Sequence, residues 1–368
     1  MLFCHKPSLE NRVSFMIDNR TNKNILIIAT GGTIVCANSD NGLLPHYNVD
    51  DLLECVQPVH SHHSISGKRV MNIDSSNMTP QYWLRIAKAI ETEYNQYDGF
   101  VITHGTDTMA YTAAALSYIL EGLRKPVIIT GSQYSMVDSE TDAIQNLNDA
   151  ILFAAEELAG VFIAFDGLLI NGTRAIKTKT KSYDAFKSVN YPPIAGVKHN
   201  RITYNQSVCN RFKHKTDHNQ YAGHALNLAS NIEENIFVLK LFPGLNPGIF
   251  DYLKDNVKGV IIESYGIGGV SSEFIDIASK IHELTTAGVT VVLTTQCLQE
   301  GVNFHVYEVG RSLPLDKIVY GKDMNTEALV AKLMWALGKT TDPVLIKDLV
   351  ETSVRDDIFE NPEQFYFS

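Results

Sequence analysis

A chain of 368 residues with 45% hydrophobic content is long enough to bury sizeable cores and predicts two domains. A formal net charge of -10 and a pI near 5.6 argue against a general nucleic-acid binder, because neutralising phosphates needs a Lys/Arg surplus. No stretch approaches the roughly 20 apolar residues that span a bilayer, and residues 1–22 form a charged amino-terminal extension without a signal-peptide core.

The first apolar run, Ile25 to Ala29, has no polar alternation and predicts a parallel strand covered on both faces. It ends on Ala29-Thr30-Gly31-Gly32-Thr33-Ile34. Thr79 and Pro80 read as a cap and first helical position, followed by Trp83, Ile86, Ala87, Ile90 and Tyr94 at helical spacing. A second buried strand, Phe100 to Ile102, ends on Thr103-His104-Gly105-Thr106-Asp107-Thr108-Met109. Met109 to Leu120 then predicts a buried helix whose first turn carries Thr106 and Asp107. Val127 to Thr130 and Val161 to Phe165 read as further strands. The stretch 201–234, polar through Arg211, Lys213, Lys215, Asp217 and Asn219, reads as an exposed excursion or linker. A second βα pattern begins near Phe237 and includes Val260 to Glu263 and Val289 to Thr294. It closes on helices at Thr326 to Leu337 and Pro343 to Thr352. This alternation predicts α/β architecture with parallel sheets: a larger domain over 23–200 and a smaller one over 235–368.

Both threonine-bearing turns fall at strand carboxyl ends, where open α/β sheets bind ligands, so the two can converge on one pocket. A threonine hydroxyl becomes a useful nucleophile only beside a base and an electrophile held in line. Gly31 and Gly32 allow close backbone approach to a ligand. Alone, Thr-Gly-Gly-Thr is equally a plain strand-to-loop turn or a phosphate cradle, although neither a P-loop lysine nor GxGxxG accompanies it. Alone, Thr106 and Asp107 are equally a helix cap and a first-turn carboxylate. Together in one α/β chain, the two turns point to a hydroxyl nucleophile facing a hydroxyl–carboxylate pair.

With these turns the sequence resembles the bacterial L-asparaginase family, its cytoplasmic type I branch above all. Matching segments include Asn72-Ile73-Asp74-Ser75-Ser76-Asn77-Met78, Ile129-Thr130-Gly131-Ser132-Gln133, Gly172-Thr173-Arg174-Ala175-Ile176-Lys177 and Ser182-Tyr183-Asp184-Ala185-Phe186. The match continues through Ile262-Glu263-Ser264-Tyr265-Gly266 and Thr295-Gln296-Cys297 to Met334-Trp335-Ala336-Leu337-Gly338, covering nearly everything after residue 23. The resemblance implies a larger flavodoxin- or Rossmann-like parallel sheet and a smaller Rossmann-like one. It implies hydrolysis of the L-asparagine side-chain amide to L-aspartate and ammonia, with Thr33 as the nucleophile that forms an acyl-enzyme. Thr106, Asp107 and Lys177 match the second catalytic cluster, with the direction of the proton relay left open. Ser75, with Ser76 beside it, matches the group that binds the substrate α-carboxylate, and Asp107 the group that receives its ammonium. Backbone N–H groups of Gly32 and Thr106 are the oxyanion donors expected on this basis. The implied chemistry requires no cofactor and the histidine spacing suggests no metal; charge and the lack of an apolar span leave no nucleic-acid or membrane partner expected, and the resemblance further implies a homodimer or homotetramer.

Several positions depart from the family pattern. Val35 replaces a small residue behind Thr33, Leu43 stands where a lid tyrosine is common, with Tyr47 as the nearby substitute, and Tyr134-Ser135-Met136 lacks a usual proline. Glu263 stands where some type I members carry an arginine tied to an allosteric site, so allosteric activation is not carried over. Gly42 and the Gly31–Gly32 pair bracket a loop that is either a lid or a plain surface loop. Five cysteines, Cys4, Cys36, Cys55, Cys209 and Cys297, are odd in number and scattered; they predict neither a disulfide framework nor a CxxC pair and fit a reducing, cytoplasmic setting. Cys297 reads as a packed small apolar side chain, Asp142 and Asn146 as helix capping, and Gly266, Gly268 and Gly269 as a turn. His60, His62, His63, His214 and His218 read as solvated histidines, because no further ligand stands at zinc spacing. Two rivals accompany the asparaginase expectation. One is the related archaeal tRNA amidotransferase component that releases ammonia; those chains carry an added amino-terminal module, for which residues 1–22 leave little room. The other is a non-catalytic amino-acid sensor, disfavoured because binding alone needs no two hydroxyls across a carbonyl.

Overall fold

The computed structural model describes residues 22–39, 42–45, 49–56, 62–213, 225–272, 276–302 and 313–359, giving backbone alone within 35–45 and at position 55. Strand β1 (Asn24–Gly31) is buried at every position after the first, as a strand covered on both faces must be. A 3-10 turn at Thr33–Val35 leads into the antiparallel hairpin of β2 (Cys36–Ser39) and β3 (Gly42–Pro45). After α1 (Val49–Val56), β4 (Ser64–Ile73) runs parallel beside β1. Helix α2 (Pro80–Glu93) starts at Thr79 and Pro80 as expected and buries Trp83, Ile86, Ala87 and Ile90. Strand β5 (Gly99–Thr103), α3 (Met109–Ile119), β6 (Leu120–Glu121), β7 (Pro126–Thr130), α4 (Ala143–Ala154) and β8 (Gly160–Phe165) follow. β9 (Leu168–Asn171), the pair β10 (Ala175–Lys177) and β11 (Phe186–Ser188), and the hairpin of β12 (Ala195–Lys198) and β13 (Arg201–Tyr204) complete this part.

Among the described residues the larger sheet has the order β13-β12-β9-β8-β7-β5-β1-β4, parallel from β8 to β4 and antiparallel beyond β8. Counted along the chain, its parallel strands take the flavodoxin-like order 2-1-3-4-5, whose switch point lies between β1 and β5. Alternate residues serve opposite layers. Leu26, Ile28, Phe100, Ile102 and Ile129 pack with α2 and α3, whereas Ile25, Ile27, Val101 and Ile128 pack with α1 and α4.

Three expectations change. Residues 201–204 do not begin a linker but add an edge strand, because Ile202 and Tyr204 still have core to cover; positions 214–224 lie outside the described residues. Strand β4 was not legible as an apolar run because it is an edge strand whose Lys68 and Arg69 are at least partly in solvent. Helix α3 begins at Met109 after Thr108, so Thr106 and Asp107 precede the helix rather than forming its first turn.

β14 (Asn227–Leu228) pairs with β6 and brings the chain to the second sheet. There β15 (Ile236–Lys240), β16 (Gly259–Ser264), β17 (Thr290–Thr295) and β18 (Val319–Tyr320) lie parallel in chain order. Helices α5 (Gly248–Asn256) and α6 (Ile277–Thr286) pack on one face. On the other, α7 (Thr326–Lys339) meets the first sheet's α3, merging Ala113 and Leu116 with Leu329 and Leu333 in one core, and α8 (Pro343–Glu351) packs against α7.

Buried ion pairs fasten this seam. Arg174 meets Asp323 at 2.8 Å and Lys332 meets Asp357 at 2.7 Å, each with side chains at most 5% exposed. Tyr118 donates to Asp357, Arg174 Nε to the Asp356 carbonyl and Asn171 to the Arg355 carbonyl. Burial pushes the Lys332 ammonium pKa down, while Asp357 pulls it back. Among the described residues no helix is long and apolar enough to cross a membrane.

Candidate functional site

The two threonine turns meet at the switch point. Gly31 and Gly32 have φ of 114° and 88°, a region that L side chains rarely adopt. A Cβ on Gly32 would lie 2.5 Å from Gly105 N and 2.7 Å from Gly105 Cα, and one on Gly31 would overlap the Ile73 carbonyl. The first turn is therefore pressed between the end of β4 and the second turn. Gly105 is bare for a similar reason: its Cβ would lie 2.5 Å from Ser75 Oγ. Thr30 Oγ1 donates to the Thr103 carbonyl at 2.7 Å, tying the strand ends together. Thr33, half-buried, opens the 3-10 turn just beyond this approach.

Lys177 comes to the same place from β10. Its Nζ lies 2.7 Å from Thr106 Oγ1 and 2.7 Å from Asp107 Oδ1. The lysine side chain is 17% exposed and the aspartate 67%, so a largely desolvated cation faces a carboxylate that solvent or a ligand can reach. Thr106 is buried and is gripped by Lys177 rather than capping α3. The residues before Lys177 are held from the second sheet: Asn325 Nδ2 donates to the Ala175 carbonyl at 2.8 Å, beside the Arg174–Asp323 pair.

Ser75 is buried at the carboxyl end of β4, and its carbonyl accepts from Thr108 Oγ1 at 2.8 Å. Ser76 is exposed, and its hydroxyl turns to Asp74 at 2.8 Å. Hydrogen bonds from the Ser76 N–H and hydroxyl hold the Asp74 carboxyl below its ordinary range. Thus Thr33, Ser75, Ser76, Gly32, Thr106, Asp107 and Lys177 gather on one end of the sheet.

Sequence reasoning gave no role to Gln133, which stands in the matched segment Ile129–Gln133. The Thr106 hydroxyl reaches its Oε1 at 3.4 Å, and its Nε2 donates to the Ser182 carbonyl at 3.1 Å. Asp142 stands at the N-cap position of α4, as expected, but its side chain makes no capping hydrogen bond, and Asn146 lies inside the helix. The Asp142 carboxylate accepts the N–H groups of Gln133 at 3.0 Å and Tyr134 at 3.1 Å, while Asn146 bridges the Gly131 carbonyl, Asp142 and the Asp166 N–H. They shape the loop that carries Gln133. The departure at Tyr134 is accommodated by an edge-on contact with Tyr183, ring centroids 5.6 Å apart.

Cys297 is exposed, contrary to its expected packing, because it lies in the bend after β17 and not in the sheet. Gly266, Gly268 and Gly269 form a turn closed by the Tyr265–Gly269 bridge. Cys297 and Glu263 help line a separate cavity of about 250 Å³ at the carboxyl ends of the second sheet, with Tyr111, Lys240, Asn325 and Glu327. Burial pushes Glu327 up to about 7 and Tyr111 up to about 12. The side chains of Val35 and Leu43, and all of Tyr47, His60, His214 and His218, lie outside the described residues. His62 and His63 pack ring to ring at 3.9 Å, and among the described residues no group of three or more His, Cys, Asp or Glu is arranged to hold a metal ion.

Fold and site together define a two-sheet α/β protein whose larger, flavodoxin-like sheet holds a threonine–lysine–aspartate cluster at its switch point. The chain belongs to the asparaginase family. Residues 24–210 match the family's "Asparaginase, N-terminal" model and residues 235–350 the "Glutaminase/Asparaginase C-terminal domain" model. The L-asparaginase of Thermococcus kodakarensis is 33% identical over 91% of this chain and 98% of that protein. The thermostable L-asparaginase structure from the same organism superposes with a TM-score of 0.83 at 32% identity, covering 91% of this chain and 99% of that one. L-asparaginase I of Vibrio cholerae superposes with a TM-score of 0.81 at 30% identity, over 92% and 99% of the two chains. A glutamyl-tRNA(Gln) amidotransferase subunit of Methanosphaera stadtmanae is also 33% identical, over 98% of this chain and 83% of that protein.

Proposed function

We propose that this chain is an L-asparaginase. In this reading Thr33 Oγ1 attacks the side-chain carbonyl of L-asparagine and forms an acyl-enzyme as ammonia leaves. Water then cleaves the ester to L-aspartate and restores the hydroxyl. The observation that carries it is the position of Lys177 Nζ, 2.7 Å from both Thr106 Oγ1 and Asp107 Oδ1, beside the approach of Gly32 to Gly105. Thr106 and Lys177 move the protons of the two steps, and Asp107 receives the substrate ammonium, a charge-assisted contact that selects an α-amino acid. Ser75 and Ser76 take the α-carboxylate, and the N–H groups of Gly32 and Thr106 take the oxyanion. Such a hydrolysis needs no cofactor. The scattered cysteines support a reducing, cytoplasmic setting, and self-association as a homodimer or homotetramer follows from the family resemblance.

Ammonia release from L-asparagine and L-glutamine, measured beside a Thr33→Ala variant, tests this. Wild type turns over asparagine and the variant loses at least about a thousandfold, in the range expected when a nucleophile is removed. A wild type that binds asparagine without releasing ammonia is a sensor, and equal rates on both amides make it a mixed glutaminase-asparaginase. A second reading is favoured by the relatives named as glutamyl-tRNA(Gln) amidotransferase subunits: ammonia release for use by a partner. That reading gains if the chain alone is slow on both amides and is accelerated by a partner protein with glutamyl-tRNA.

A further inference from the structure

His104 is 1% exposed and takes no part in the chemistry above. Its ring is held at both nitrogens: Nδ1 lies 2.7 Å from the Gly105 carbonyl oxygen and Nε2 lies 2.9 Å from Thr112 Oγ1. A carbonyl can only accept, so Nδ1 carries the proton and Nε2 accepts from the threonine hydroxyl. Thr112 in turn accepts from Trp83 Nε1 at 3.1 Å. A buried chain of hydrogen bonds thus starts on α2, crosses α3 and ends on a peptide of the second threonine turn. Burial pushes the imidazole down to about 4, which keeps the ring neutral and this tautomer fixed near neutral pH.

The peptide at the end of the chain joins Gly105 to Thr106. It is trans, so its C=O and N–H point in opposite directions. Holding the Gly105 oxygen toward the buried imidazole aims the Thr106 N–H the other way, and among the described residues no acceptor takes it. The preceding backbone is confined as well: a Cβ on Gly32 would lie 2.8 Å from the His104 carbonyl carbon, and one on Gly131 would overlap the His104 oxygen.

We propose that His104 is a positioning residue: its Nδ1–H fixes the Gly105–Thr106 peptide so that the Thr106 N–H meets the oxyanion of the tetrahedral intermediate. The assignment rests on the asparaginase reading above. His104 touches no reacting atom and acts only through the plane of that peptide. The test compares kcat and KM for ammonia release by wild type, His104→Asn, His104→Leu and Trp83→Phe, each normalised to its folded fraction. Asparagine keeps a donor near the place of Nδ1, whereas leucine fills the space without one. His104→Leu loses about a hundredfold in kcat with KM within about threefold, as expected for a misdirected oxyanion donor. His104→Asn stays within about tenfold of wild type, and Trp83→Phe, which loosens the core but leaves the imidazole paired, stays within about threefold. A residue that only packs gives the reverse order, leucine above asparagine; that order, or Trp83→Phe falling as far as His104→Leu, overturns the proposal. Selective labelling with [15N]-threonine reads the same peptide without turnover: the Thr106 amide resonance moves in His104→Leu and stays in His104→Asn, and the opposite pattern refutes the role. A wild type that releases no ammonia defeats the asparaginase reading alone, and the amide resonance then decides whether His104 orients the peptide.

Discussion

Replacing Gly32 by alanine places a methyl group where the two threonine turns touch. Two costs add. At φ 88° the new residue takes a left-handed backbone, which costs about 1–2 kcal/mol. The Cβ also meets Gly105 N at 2.5 Å, Gly105 Cα at 2.7 Å and the His104 carbonyl carbon at 2.8 Å, all backbone atoms with no rotamer to yield. Relieving those contacts to ordinary separations pushes the turns apart by roughly 1 Å, with an overpacking cost of about 1–3 kcal/mol. Gly288→Ala separates the two terms, because Gly288 has φ 86° and a Cβ there would meet nothing within 4 Å. Urea unfolding of both variants gives about 1–2 kcal/mol lost for Gly288→Ala and about 2–5 kcal/mol for Gly32→Ala. Because a 1 Å misplacement of reacting groups costs on the order of a hundredfold, kcat for asparagine falls by about that factor in Gly32→Ala and stays unchanged in Gly288→Ala. Equal stabilities for the two variants, or full turnover by folded Gly32→Ala, would refute the convergence of the turns.

Lys177→Met strips Thr106 and Asp107 of their cation, and kcat drops by about 10²–10⁴, the worth of a positioned proton-transfer group; steady-state assays in which only KM rises would remove the lysine from the chemistry. Lys332→Met leaves Asp357 charged in a site where both side chains are 0% exposed and costs about 3–5 kcal/mol. The double variant Lys332→Met with Asp357→Leu recovers more than half of that in urea titration, and a double variant no better than the single one contradicts the ion-pair account. Glu327, raised from 4.5 to about 7, holds its proton in the folded chain across a window where the unfolded chain has released it. Its contribution to stability is full below pH 4.5 and is lost as pH rises toward 7, so Glu327→Gln gains up to about 3 kcal/mol relative to wild type between pH 4.5 and pH 8. A pH-independent difference in unfolding free energy speaks against that burial effect.

Much of the larger sheet is legible in residues 25–29, 100–102, 127–130 and 161–165, because strands covered on both faces need no polar alternation. Strand β4 is hidden by the charges of an edge, and β9, β12 and β13, at four residues each, are too short for a period to stand out. The two glycine-bearing turns announce themselves locally. Their meeting does not, since it depends on a strand order that only the assembled sheet supplies. Lys177 is further removed, on a three-residue strand 70 positions after Asp107, and was found through family resemblance and not through any period. Asp142 and Asn146 read only as capping because spacing on a helix reports a shared face and not the loop that the face supports. Cys297 misled because residue type predicts burial only inside an element.

The clamp across the seam sets an order of events during synthesis. A nascent chain that has emerged only as far as residue 200 already possesses both glycine turns, yet the segment from Asn171 to Ala175 that leads to the lysine still lacks Asp323, Asn325 and the 355–356 backbone that grip it. Domains fold as they leave the ribosome, amino-terminal part first, so these holds on the segment before Lys177 form only after the last helix has been made. Fragments cut short of residue 355 therefore lack the carbonyls that receive Asn171 and Arg174.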